Sequence, residues 1–185
     1  MEWDDILAFS RWGKQTYTVP WYDLEHTLAR YQTENNLELN PDFQREHVWS
    51  EIQQVKYVEY ILKRGNLNLG IVFNCPGWLD SFEGQMVLVD GKQRLQAARL
   101  FMANQLSVFN GVYRNDFVRQ GKRMLRFSQE IQFVFYMNDL STRTEILQLY
   151  LDINSGGVVH SDDELSKVKA LLAIEQNKLN TSIGV

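Results

Sequence analysis

A chain of 185 residues suits one domain, or one domain with a small helical appendage. Its hydrophobic fraction of 44% is ordinary for a globular protein, no apolar run approaches the roughly 18 residues that a membrane span needs, and the acidic start Met1-Glu2-Trp3-Asp4-Asp5 lacks a secretory pattern, so neither membrane nor export is expected. A net charge of −4 argues against coating DNA by bulk electrostatics, and a single cysteine, Cys75, excludes an internal disulfide and fits a reducing cytoplasm.

Trp3 to Trp12 carries Ile6, Leu7 and Phe9 among acids and reads as a short helix or an arm packed back on the body. Thr16 to Val19 is β-prone and stops at Pro20; Trp21 to Tyr31 then shows Leu24, Leu28 and Tyr31 at helical spacing. Leu37-Glu38-Leu39 alternates as a brief strand does. The stretch Asn40-Pro41-Asp42-Phe43-Gln44-Arg45-Glu46-His47-Val48-Trp49 has too many polar groups between large aromatics to be only a connector. Ser50 with Gln53 forms a capping box opening a helix whose Ile52, Val55, Val58 and Leu62 make one apolar face, closed by Gly65. That helix fixes Gln44 and Arg45 just upstream; Arg45 is either a second phosphate ligand or a surface ion-pair partner.

Leu69 to Phe73 is a continuous apolar run, an interior strand beside Met86 to Val89, and the turn residues from Asn74 to Gly84 predict a surface loop between them. Cys75 has no neighbouring base or metal-ligand partner and reads as a spectator thiol. The chain is organised around the next stretch, Met86 to Leu95, an apolar run that stops at Asp90-Gly91 and restarts with Leu95, Ala98, Met102 and Leu106 at helical steps, predicting a helix from Lys92 to Asn104 with Asp90 at or near its N-cap. A strand feeding a helix in this way presents backbone N–H groups and the positive end of a dipole to one spot, which attracts anions. The dipole disfavours cations in a first turn by roughly 0.3–1 kcal/mol each, yet Lys92 and Arg94 stand there. A phosphate at the site accounts for both, with Arg94 able to grip it in a bidentate way; the alternative is that both point into water.

Asn110-Gly111 suits a turn between short extended pieces. Arg114, Arg119, Lys122, Arg123 and Arg126 then stand against the single acid Asp116, a stretch that either meets a nucleic-acid backbone locally or is a solvated face. Ile131 to Met137 is β-rich, and Thr142 with Glu145 opens a helix with Ile146, Leu149 or Tyr150, and Ile153 on its apolar side. It ends in Asn154-Ser155-Gly156-Gly157, where the glycines either bring backbone close to a ligand or only stop the helix. A third capping box, Ser161 with Glu164, starts a last helix with Leu165, Val168 and Leu172 inward and Lys167 and Lys169 outward; the polar tail from Asn177 is expected to fray. No internal repeat is visible, and the order predicts an α+β domain without the regular alternation of a doubly wound sheet.

Three stretches taken together, Pro41-x-Phe43-Gln44-Arg45-x-x-Val48-Trp49, Val89-Asp90-Gly91-Lys92-Gln93-Arg94-Leu95, and Ile153-Asn154-Ser155-Gly156-Gly157 with Glu164-Leu165 beyond, resemble the N-terminal domain of GmrSD-type restriction endonucleases, of the ParB/sulfiredoxin-like superfamily. The likeness runs from Val19 to Leu172, and the family's Asp-Gly-Gln-Gln-Arg signature has Lys92 in its third place. It implies a small mixed sheet with surrounding helices: an arm over 1–18, a nucleotide-binding core over 19–140, and a helical segment over 141–185 packed on the core. It also implies NTP binding and hydrolysis, with nucleic-acid restriction when a nuclease domain follows. By position, Arg94 and Gln93 would hold phosphates, with Gly91 and Lys92 in the same turn, and Asp90 would act through a bound Mg²⁺ or orient an attacking water. Gln44 and Arg45 would come from the facing loop, Arg45 stabilising phosphoryl charge, and Asn154 would complete the pocket wall. His26, His47 and His160 make no His-Asn-His arrangement, so HNH-type cleavage is not expected of this polypeptide alone, and Gln93 stands where the sulfiredoxin branch needs a cysteine.

Three functions remain in view. One is a Mg²⁺-dependent NTPase, or a nuclease using the same pocket on a phosphodiester. Another is a module that binds nucleotide or DNA without turnover. The third is an inhibitor of a host defence protein working through the acids dense between Glu2 and Glu46; a compact version of the domain suits a phage or mobile-element protein.

Overall fold

Alternation along short strands sets the layering. In the computed structural model, which describes residues 15–44, 49–78, 84–119, 130–155 and 162–183, β1 (Gln15–Pro20), β2 (Gly70–Asn74), β3 (Val87–Asp90) and β4 (Gln132–Asn138) form one sheet in the order β1-β4-β2-β3. The β4–β2 pair is parallel, with Val72 opposite Tyr136, and the two outer pairs are antiparallel. Ile71, Phe73, Leu88, Phe133, Phe135 and Met137 point to one face; Val72, Val89 and Tyr136 point to the other.

Helices cover both faces. After Pro20 a single 3-10 turn, Trp21–Asp23, leads into α1 (Leu24–Asn35), and the expected Leu24, Leu28 and Tyr31 are buried. With α2 (Glu51–Leu62) and α3 (Lys92–Met102), α1 encloses the first face, where Trp21 packs on Phe133 at 5.4 Å and Phe73 on Phe135 at 4.9 Å between ring centroids. After the short α4 (Arg114–Arg119), the pair α5 (Arg143–Ser155) and α6 (Asp162–Ile183) covers the second face. This is the α+β architecture of a small mixed sheet with helices around it that the resemblance implies.

Two capping boxes form as read. Gln53 N donates to Ser50 Oγ at 3.4 Å and Ser50 N to Gln53 Oε1 at 2.9 Å; Glu145 N donates to Thr142 Oγ1 at 3.2 Å and Thr142 N to Glu145 Oε2 at 3.1 Å. The Asn110-Gly111 turn also forms, closed by reciprocal bonds between Val108 and Val112 at 2.8 and 2.7 Å. Lys167 and Lys169 are exposed and Val168 and Leu172 buried, as expected.

Other expectations need correction. On α2 the expected Val58 is buried and Val55 and Leu62 pack against the core, with Gln54, Tyr57 and Ile61 buried beside them, but Ile52 is 67% exposed. On α5 the expected Leu149 and Tyr150 are both buried, with Leu147, Leu151 and Asn154 beside them, and Ile146 and Ile153 pack at the border. Leu37 to Leu39 supplies a single bridge, Glu38 to Val87, rather than a strand. Cys75 is buried, not part of a surface loop, since its N–H continues the ladder to Asn138 O at 2.9 Å. The tail from Asn177 stays helical through Ile183. Trp3 to Trp12, Arg45, His47, Lys122, Arg123, Arg126, Gly156, Gly157, His160 and Ser161 lie outside the described residues.

Candidate functional site at the turn from β3 into α3

The β2–β3 register shifts between Val72 and Phe73, whose partners are Asp90 and Leu88, so β3 carries one extra residue, Val89, just before Asp90. Such a bulge bends a strand and re-aims the next side chain. Gly91 follows with φ 100° and is the N-cap of α3, a left-handed conformation that glycine adopts without strain. A Cβ there would lie 2.6 Å from Ile71 Cδ1, 3.2 Å from Ile71 Cα and 3.3 Å from Arg94 Nη2, so the turn has room for glycine alone.

Asp90 is therefore not the N-cap. Its carboxylate instead accepts a hydrogen bond from Arg94 Nη2, an ion pair reaching across the cap into the first turn of α3. The sequence shows the two residues four apart but not that the intervening glycine turns one towards the other. The first bond within α3 runs from Leu95 N to Gly91 O at 2.9 Å, so the positive end of the helix faces this ion pair.

Gln44 and Trp49 both bond to residues of this turn or of the strand before it. Gln44 Nε2 donates to Leu88 O at 2.6 Å, and Trp49 N donates to Gln93 Oε1 at 3.1 Å. Gln44 and Gln93 are thus brought to the Asp90–Arg94 pair from two sides. Among the described residues, two buried polar atoms here have no hydrogen-bond partner, Gln44 Oε1 and Arg94 Nε. Buried polar atoms are almost always satisfied in folded proteins.

Tyr57, to which the sequence reading gave no role, sits close enough for Arg94 to act on it. Burial pushes its phenol well above the usual tyrosine range, and the Arg94 charge partly opposes that shift. Tyr57 OH donates to Asn68 O at 3.1 Å, and its ring packs on Trp49 at 5.4 Å. The only sequence signal for it was its place on α2 one turn before Ile61.

Asn154 is buried near the end of α5, its Nδ2 donating to Tyr150 O at 2.7 Å. Tyr150 in turn packs its ring on Phe43 at 5.4 Å. Of the expected nucleic-acid patch, Arg114 lies on α4 and donates to Asn115 Oδ1 at 3.3 Å. Arg119 ends that helix, its side chain outside the described residues. A separate cleft of about 440 Å³ lies between β1 and α1, walled by Tyr17, Tyr31 and Trp78, and shares no residue with the Asp90 turn.

Among the described residues no group of three or more His, Cys, Asp or Glu side chains could hold a metal. Asp90 offers one carboxylate, which fits Mg²⁺ only as an ion shared with phosphate oxygens, a common way for proteins to hold it. No helix among the described residues is long and apolar enough to cross a membrane.

Fold and turn together define a class: a mixed-sheet α+β domain whose strand-glycine-helix turn carries an ion-paired aspartate and arginine. A family model for the GmrSD restriction endonuclease N-terminal domain matches residues 26–171, and the chain belongs to that family. No curated protein and no solved structure matches the chain.

Proposed function

We propose that this chain is a nucleotide-handling domain of a restriction-type system, a Mg²⁺-dependent NTP hydrolase working at the turn from β3 into α3. The observation that carries this reading is the pair of buried polar atoms without partners, Gln44 Oε1 and Arg94 Nε, at one anion-attracting helix start. An unsatisfied buried group costs about 1–3 kcal/mol. A phosphate supplies the acceptor that Arg94 Nε lacks, and a water or hydroxyl supplies the donor that Gln44 Oε1 lacks.

In this reading Arg94, with Gly91, Lys92, Gln93 and Arg45, holds the phosphates, Gln44 orients the attacking water, and Asn154 backs the pocket wall through Tyr150 and Phe43. Asp90 would hold the Mg²⁺, which when bound draws negative charge off the phosphoryl oxygens. A phosphodiester backbone offers the same groups, which leaves nucleic acid as a second substrate class and the basic residues Arg114, Arg119, Lys122, Arg123 and Arg126 as its contact.

One observation favours a second reading, a sensor that binds nucleotide without turnover: the Asp90 carboxylate is already engaged by Arg94. Incubation of the purified chain with Mg²⁺ and each NTP in turn, following phosphate release, separates the two. A hydrolase releases phosphate and loses that release in Arg94→Ala. A chain that binds NTP with no release in any condition is a sensor.

A further inference from the structure

We propose that the Asp90–Arg94 pair is an internal latch that makes phosphate binding at this turn conditional on a divalent cation. The inference rests on the nucleotide reading above and adds to it a rule of order. Asp90 and Arg94 have side chains only 28% and 20% exposed, so solvent screens their attraction weakly. Asp90 Oδ2 sits on Arg94 Nη2, while Arg94 Nε, beside it on the same edge of the guanidinium, has no hydrogen-bond partner among the described residues. That Nε–Nη2 edge is one that grips a phosphate through two parallel bonds. Half of it is occupied by the chain's own carboxylate.

A phosphate arriving alone must displace a carboxylate from Arg94 and then remain beside it, like charge against like charge. A phosphate arriving with Mg²⁺ would meet a different situation, because Asp90 would then be the residue that holds the ion. Asp90 then changes from a competitor for Arg94 into a partner of the incoming complex, and Nη2 joins Nε on the phosphate. Gly91 lets the guanidinium sit this close to the turn, since a Cβ at that position would come within 3.3 Å of Nη2. Cation and phosphate are thereby coupled through one side chain, and the coupling is reciprocal.

Equilibrium dialysis of the full chain against inorganic tripolyphosphate, in Mg²⁺ or in EDTA, tests this without any turnover. The wild type should bind about tenfold or more tightly in Mg²⁺ than in EDTA, inside the range typical of coupled sites. Asp90→Asn keeps the shape and loses the charge, so it should bind in EDTA about tenfold more tightly than the wild type and gain nothing from Mg²⁺. Equal wild-type binding in both conditions, abolished by Arg94→Ala, overturns the latch and keeps the phosphate site. No wild-type binding in Mg²⁺ overturns the latch and the nucleotide reading together. The wild-type comparison needs no variant, so a failure of Asp90→Asn to fold does not remove the test.

Discussion

At Gly91 a single methyl group decides whether the turn can form. Gly91→Ala would force a side chain into a positive φ and against Ile71 and Arg94. Adopting that conformation and shifting a packed neighbour should together destabilise the domain by about 1–3 kcal/mol, read as a lower midpoint in urea. The sequence announced this turn through Asp-Gly after an apolar run, and it placed Arg94 in the first turn of a helix. Asp90 stands near the N-cap as read, one residue before Gly91, but its pairing with Arg94 was not legible, because whether an aspartate caps a helix or pairs with a side chain four residues on depends on backbone angles that composition does not carry.

Buried ionisable groups give the molecule an alkaline limit. Burial pushes the Cys75 thiol from an ordinary value of 9.0 up to about 11. Burial also raises the Tyr31 and Tyr57 phenols, each opposed in part by an arginine, Arg30 and Arg94 respectively. All three are kept neutral in the fold, so above their ordinary values the unfolded chain holds fewer protons than the native one, and stability falls as pH rises. The Cys75 share is fully present below pH 9 and is lost as pH rises to about 11. Urea unfolding at stepped pH should show this decline, and Cys75→Ala should reduce its slope in that window. An unchanged slope would show that the thiol is accessible in the native state.

At the level of elements, local signals were read well and orientation was read less well. Ser50 with Gln53 and Thr142 with Glu145 gave α2 and α5 their start points because a capping box is complete within four residues. The inward faces of those helices are wider than read, since Gln54 and Asn154 are buried polar residues that an apolar count passes over, and Ile52 alone of the expected set is exposed. Nothing local marked Asn74 and Asn138, which end β2 and β4 and are fully buried. Asn74 Oδ1 accepts from Leu140 N at 2.8 Å and its Nδ2 donates to Leu140 O at 3.1 Å, while Asn138 Nδ2 donates to Phe73 O at 3.0 Å. These bonds span 65 or 66 residues and hold the exit of β4 that leads into α5. Asn74→Leu would leave both backbone groups of Leu140 unpaired in the interior, with an expected loss of about 2 kcal/mol or more on thermal or urea unfolding. Because Asn154 rides on α5, the same change should also weaken the nucleotide binding proposed above.

For the whole molecule, the mixed α+β class and the family were legible from three separated stretches, and the family match over residues 26–171 agrees with that reading. Their assembly was not legible, because the hydrogen bonds Gln44 to Leu88 and Trp49 to Gln93 each span 44 residues, and no local pattern specifies that distance. The sheet makes them meet. Its β3 edge places Leu88 O and Asp90 under the Gln44 segment, while α2 sets Tyr57 beside Arg94. The central claim is that phosphates bind at this meeting point, and an amide NMR titration of the full chain with NTP and Mg²⁺ tests it most directly. The account predicts the largest shifts at the backbone amides of Gly91, Lys92, Gln93 and Arg94 and at the side-chain amide of Gln44, all absent in Arg94→Ala. Shifts centred on the cleft of Tyr17, Tyr31 and Trp78, or no shifts at saturating nucleotide, would contradict it.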